Sequence, residues 1–219
     1  MKIAIYKDTF ANNRGADIAV KNLAAGLEER GHSVTLFDKT QFAEKVRGDY
    51  DVIVSTGTNE ILDLAKVEGL PPIVQQFHTD PTYSFRHWIK RWRRNRAIKV
   101  ALRRSAAFQV LSASHVCKLQ KLMRGVAEDR IFVIGNWSVY ERAESRECEA
   151  EKVIVCPGAG GGIAEKASVS SFAEALRCLM VNEKLRVGMG KAAMEFCQRE
   201  YSKEKILSFW EMLLSRAIS

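Results

Sequence analysis

The first 37 residues limit the possible folds of this chain more than any other stretch. Lys2-Ile-Ala-Ile-Tyr6 is a short apolar run, the pattern of a buried strand. A polar loop over residues 7–15 follows. Beyond it, Ala16, Ala19, Val20, Leu23, Ala24 and Leu27 recur at helical spacing and form one apolar stripe. Gly31 stands where a residue at positive φ ends a helix at little cost, and residues 33–37 read as a second strand. This is a βαβ unit, and its crossover is expected to be right-handed. Open α/β sheets bind ligands at the carboxyl ends of their strands. Arg14-Gly15 lies there and feeds a helix N-terminus, where unpaired N–H groups favour phosphate.

The alternation continues. Residues 51–55, 73–77, 107–111 and 131–134 read as strands, with a short helix over 60–66 and helical stretches on either side of residue 107. The expected fold class is α/β, a Rossmann-like doubly wound parallel sheet covered by helices and complete by residue 137. Residues 138–151 change to Glu/Arg-rich composition and read as a solvated linker. Residues 152–219 offer one short strand and three helical stripes, too few for a second doubly wound domain. These helices are expected to pack on the first sheet. The Pro157-Gly-Ala-Gly-Gly-Gly162 run lacks the third fingerprint glycine, because position 163 is Ile163, and no Lys-Ser/Thr follows. It reads as a flexible loop.

Several chemistries find no support. Five cysteines without a C-x-x-C pair argue against a zinc ribbon or a disulfide framework. Four scattered histidines form no metal cluster. Asp49-Tyr-Asp51 has the D-x-D pattern of a metal–diphosphate site, but it precedes a strand and so sits at the wrong end of the sheet. No apolar run approaches the roughly 18–20 residues needed to span a bilayer, and the N-terminus reads as a strand, not a signal peptide. A cytoplasmic location is expected.

The net charge of +8 is concentrated. Residues 86–104 hold nine Lys/Arg and no acid, and the rest of the chain is nearly neutral. Phe85, Trp88, Ile89 and Trp92 share one helical face; Arg86, Lys90, Arg91, Arg93 and Arg94 lie round the other side. The apolar register breaks at Asn95 and restarts at Ile98, Ala101 and Leu102, which predicts two consecutive helices. Tryptophans beside a cationic face fit a helix lying in an anionic membrane surface. The competing reading is a core-facing stripe with a solvated basic back; nucleic acid is disfavoured, because the charge is confined to one stripe.

Taken in order, the Arg-Gly-Ala turn of the first unit, Gln75-Gln-Phe-His-Thr-Asp80, Gln109-Val-Leu-Ser-Ala-Ser114 and Val133-Ile-Gly-Asn136 resemble the N-terminal half of family-4 (group 1) retaining glycosyltransferases. Residues 168–176 and 185–191, Tyr201-Ser202 and the final stretch with Trp210 are similar to that family's C-terminal end. The resemblance implies transfer of a sugar from a nucleotide-sugar to a lipid-linked or polysaccharide acceptor, with retention and without an essential metal or other cofactor. It also implies one half of a two-domain glycosyltransferase B fold, peripheral on the inner membrane face. His78 matches the family's histidine near the transferred sugar. Arg14 and Gly15 match its donor-phosphate loop, with Arg14 standing where many members have glycine. Asn13, Asp80, Ser114 and Asn136 fall at cleft-lining positions. Between residues 158 and 168, however, most of the family's donor-binding domain is missing. The chain alone is therefore expected to bind nucleotide-sugar weakly, and a separate donor-binding subunit is an expected partner. The rival reading is a catalytically silent acceptor- or membrane-binding domain.

Overall fold

The structure, a computed structural model, describes residues 1–10, 15–79, 88–137 and 169–219. The chain divides into two compact units: residues 1–137 with 203–219, and residues 138–202.

The first unit is a six-stranded, all-parallel sheet flanked by helices, a Rossmann-like α/β fold. Its strands are β1 (Lys2–Tyr6), β2 (Ser33–Phe37), β3 (Val52–Ser55), β4 (Ile73–Gln76), β5 (Ser105–Val110) and β6 (Ile131–Val133), in the order β2-β1-β3-β4-β5-β6. The helices of this unit are α1 (Gly15–Glu29), α2 (Phe42–Lys45), α3 (Thr58–Leu64), α4 (Trp88–Leu102), α5 (Ala113–Leu122) and, from the end of the chain, α8 (Lys203–Ile218). Because β1 lies between β2 and β3, the direction of winding reverses there. The crevice beyond the carboxyl ends of β1 and β3 is the usual ligand position of such sheets.

Alternate strand residues face opposite sides. Ile3, Ile5, Val52, Val54, Val74 and Ala107 meet Val20, Leu23 and Leu27 of α1 and Ile206, Trp210 and Leu213 of α8. Ala4, Tyr6, Ile53, Ile73, Phe108 and Val110 meet Ile61 and Leu64 of α3, Ile98 and Leu102 of α4, and Leu119 of α5. Helix α1 ends as its sequence suggests. Gly31 has φ 82°, its N–H donates to Glu28 O at 2.9 Å, and His32 N–H donates to Leu27 O at 3.1 Å. That pair of bonds is a Schellman motif. Gly26 lets α8 approach α1, since a Cβ there would lie 2.9 Å from Leu207 Cδ2. Arg30 and His32 tie down the other side, at 2.9 and 3.1 Å from the Glu211 carboxylate.

Two expectations change. Residues 88–102 form one continuous helix, not two. Asparagine costs a helix interior only a fraction of a kcal/mol relative to good helix formers, and the register shift at Asn95 separates exposed from buried apolar residues among those described. Ile98, Ala101 and Leu102 are buried, whereas Ile89 and Trp92 are about half exposed. Ser112 precedes α5 in extended conformation; its hydroxyl makes no capping bond and lies 2.9 Å from the Ser114 hydroxyl. Of the three C-terminal helices, α8 covers the sheet, because five of its large apolar residues are at most 2% exposed. Helices α6 (Val169–Val181) and α7 (Glu183–Glu200) belong to the second unit, where Asn182 caps α7 by accepting from Leu185 N–H at 3.0 Å. The linker, the short strand and the glycine-rich loop read between residues 138 and 168 lie outside the described residues, as do Phe85 and Arg86 and the side chains of Trp88, Lys90 and Arg91.

Candidate functional site

Polar residues are buried almost exclusively at one edge of the sheet. Among the described residues, Asp17, Ser55, Thr56, Glu60, Gln75, Gln76 and Gln109 are each no more than 5% exposed, and all lie at or beyond the carboxyl ends of β3, β4 and β5 or in the first turns of α1 and α3. A hydrophobic core would exclude such groups unless they were paired or served a ligand.

Some of them build the crevice. Thr56 Oγ1 donates to Tyr6 O at 3.0 Å and closes the β1–β3 edge. Gln75 Nε2 donates to Gly57 O at 3.1 Å and fixes the loop after β3. Glu60 Oε1 accepts from Asp8 N–H at 2.9 Å and holds the start of the loop after β1. Lys7 and Asp17 form an ion pair of 3.1 Å, with side chains only 14% and 5% exposed. Asp17 lies in the first turn of α1, where the positive end of the helix favours a carboxylate.

His78 follows β4 by two residues, on this edge. Its Nε2 is buried and has no partner among the described residues. Burial pushes its pKa from the usual 6.5 down to about 4; the nearby Lys7 charge acts in the same direction and Asp17 opposes it. The ring is therefore neutral at neutral pH, offering one N–H donor and one nitrogen acceptor instead of a charge. The carbonyl oxygens Oε1 of Gln75, Gln76 and Gln109 are likewise buried without a partner among the described residues.

The other expected positions fall as follows. Gly15 begins α1 and has open space around it, with Asp17 as a resident anion two residues further on in the same first turn. Asn136 is exposed in the loop after β6, and Ser114 is exposed in the first turn of α5. Asn13, Arg14 and Asp80 lie outside the described residues. Asp49 and Asp51 are bound to the amino end of the sheet: Lys2 Nζ is 2.6 Å from Asp49, and Lys2 N–H donates to Asp51 at 2.7 Å. No group of His, Cys, Asp or Glu suited to a metal ion occurs among the described residues, and no helix among them is long and apolar enough to cross a membrane. Sequence reading missed the Lys7–Asp17 pair and the three glutamines. Its available signal was a glutamine at the end of two separate apolar strands.

No protein-family model matches the chain, and no curated protein matches it.

The His78 shift has a consequence for stability. Between pH 6.5 and 4 the unfolded chain binds a proton that the folded chain does not, so stability rises with pH across this window and is lost as pH falls through it. Thermal unfolding at steps from pH 7 to 4 should show a steeper fall for the native chain than for His78→Asn. Parallel curves would mean that His78 is solvated.

Proposed function

We propose that the chain is the acceptor-side domain of a retaining glycosyltransferase, acting in transfer of a sugar from a nucleotide-sugar to a lipid-linked or polysaccharide acceptor. The observation that carries this reading is His78: a neutral, largely buried imidazole whose Nε2 has no partner among the described residues, at the carboxyl edge of a doubly wound sheet. A perturbed titratable group in such a crevice is the ordinary mark of a functional site. The order of motifs that resembles the glycosyltransferase family supplies the reaction class.

On this reading, His78 bonds a hydroxyl of the transferred sugar, and that bond strengthens as charge develops at the ring in the transition state. A neutral imidazole suits this role better than that of a proton donor. The start of α1 at Gly15 faces the donor phosphate, with Lys7 balancing Asp17 beside it. One phosphate contact of this kind contributes about 1–2 kcal/mol, whereas a millimolar dissociation constant requires about 4 kcal/mol. A donor-binding partner must supply the remainder. Calorimetry with a panel of nucleotide-sugars should therefore find millimolar or weaker binding to the isolated chain. Micromolar binding would contradict the need for a partner.

A second reading, contact with an anionic membrane surface, is favoured by one observation. Ile89 and Trp92, three residues apart on α4, are 49% and 56% exposed on a helix with six Lys/Arg and no acid. Arg96 stacks on the Trp92 ring at 5.5 Å. Apolar groups beside cations match a headgroup interface. Binding to anionic vesicles should fall steeply with salt, and Trp92→Ala should weaken it by about tenfold, the size expected for losing one inserted aromatic. Equal binding to neutral and anionic vesicles would remove this reading.

A further inference from the structure

Gln109 stands where an apolar side chain would cost less. It lies on the α1–α8 face of β5, 1% exposed, between Gln76 of β4 and Phe132 of β6 in the ladder. Its Oε1 is buried and has no partner among the described residues, and the same holds for Oε1 of the neighbouring Gln76. A methionine would fill a similar volume without desolvating a carbonyl. What the glutamine adds is a donor at the other end of its amide. Gln109 Nε2 donates to Ile134 O at 2.5 Å.

That carbonyl belongs to the peptide where β6 gives way to a loop. β5 ends at Val110 and β6 at Val133. Ile134 N–H donates to Val110 O at 2.9 Å and extends the ladder by one bond. In a parallel pair the N–H and C=O of one residue point to the same neighbour, so Ile134 O also faces β5. There, beyond the last residue of β5, the side chain of Gln109 acts as the donor. Gly135, Asn136 and Trp137 follow directly. They lie against Gln76 and Trp210 across a gap of about 10 Å³, room for about one water. The loop thus hangs from a carbonyl held by a buried side chain whose rotamer the surrounding core restrains.

We propose that Gln109 is a positioning residue: through Ile134 O it fixes the loop 135–137 and sets where Asn136 stands at the carboxyl edge of the sheet. Its bearing on turnover rests on the transfer reading, which puts Asn136 in the cleft. The positioning itself does not depend on that reading.

The test uses the full chain and two variants. Gln109→Met keeps the volume and removes the donor. Gln109→Glu, at about pH 5, keeps a donor, because burial raises the carboxyl pKa and leaves the acid protonated. Backbone NMR relaxation is read for Gly135, Asn136 and Trp137, with Ile5 and Val54 as references in the sheet. At the same pH, native loop order parameters should be about 0.8, and Gln109→Met should lower them to about 0.6 or less while the references stay near about 0.85. Gln109→Glu should return the loop to native values, which a space-filling role would not require. Circular dichroism checks folding; should Gln109→Met fail, Gln109→Leu replaces it. In the native chain the Gln109 side-chain amide should exchange slowly, and rapid exchange overturns the proposal without any variant. Unchanged loop order in folded Gln109→Met overturns it too, as does a fall shared equally by Ile5 and Val54, or a loop that stays loose in Gln109→Glu. Because order parameters involve no turnover, a chain that transfers nothing removes the transfer reading and leaves this test intact. Unchanged order parameters remove this proposal and leave the transfer reading standing.

Discussion

Asp17→Ala is expected to destabilise the sheet unit by about 3–5 kcal/mol, the usual cost of leaving one member of a buried ion pair without its partner. Lys7, only 14% exposed, would then carry its charge into a site with little water to screen it. The pair itself contributes far less than this figure, because desolvating both groups offsets most of their attraction. Replacing both, as Lys7→Met with Asp17→Leu, should change stability by no more than about 1–2 kcal/mol. Chemical denaturation of the three variants would establish the pattern. A loss below about 1 kcal/mol for Asp17→Ala would mean a solvent-screened pair. The same variants report on His78. The Lys7 charge lowers the histidine's pKa and Asp17 raises it, so Lys7→Met should move the His78 titration upward and Asp17→Ala should move it downward. Proton NMR titration of the imidazole would detect both shifts.

This pair illustrates what the sequence conceals. The β1-α1-β2 unit was readable because periodicity is a local property: the stripe from Val20 to Leu27 is buried as spaced, and Gly31 takes the positive φ its position suggested. The position of His78 was readable for the same reason, as a residue just past an apolar run. Lys7 and Asp17, by contrast, are ten residues apart with a loop between them, and nothing in their spacing says that they meet. Gln76 and Gln109 look like lapses in two separate apolar runs until the strands are aligned, when they become neighbours. Helix α4 was misread as two helices because apolar register reports packing: among the described side chains Ile98, Ala101 and Leu102 are buried, whereas Ile89 and Trp92 are exposed. Helix α8 resembled α6 and α7 as an amphipathic stripe. What distinguishes it is the cleft beside Gly26 that Leu207 fills, a feature of tertiary structure.

His78→Ala is expected to lower sugar transfer by about 10²-fold, the loss typical of one preorganised polar contact made in the transition state. The fold should survive, since the side chain makes no hydrogen bond through Nε2 to any described residue. Removing a depressed histidine should even flatten the acid loss of stability. The role assigned to the ring is hydrogen bonding in its neutral form. Accordingly, transfer should not fall between pH 8 and 6 through protonation of His78, whose pKa lies near 4. His78→Asn, which keeps a donor and an acceptor of similar reach, should recover part of the activity, whereas His78→Ala should not.

The most direct measurement uses membranes from cells lacking the endogenous gene, so that the acceptor and any donor-binding partner are present. Membranes carrying the native chain or His78→Ala, matched for protein level, are incubated with radiolabelled nucleotide-sugars, and label is counted in the lipid and polysaccharide fractions. Transfer that requires the native chain and drops by about 10²-fold with His78→Ala is the predicted result. Undiminished transfer by a folded His78→Ala chain, or label independent of the chain altogether, would contradict the account.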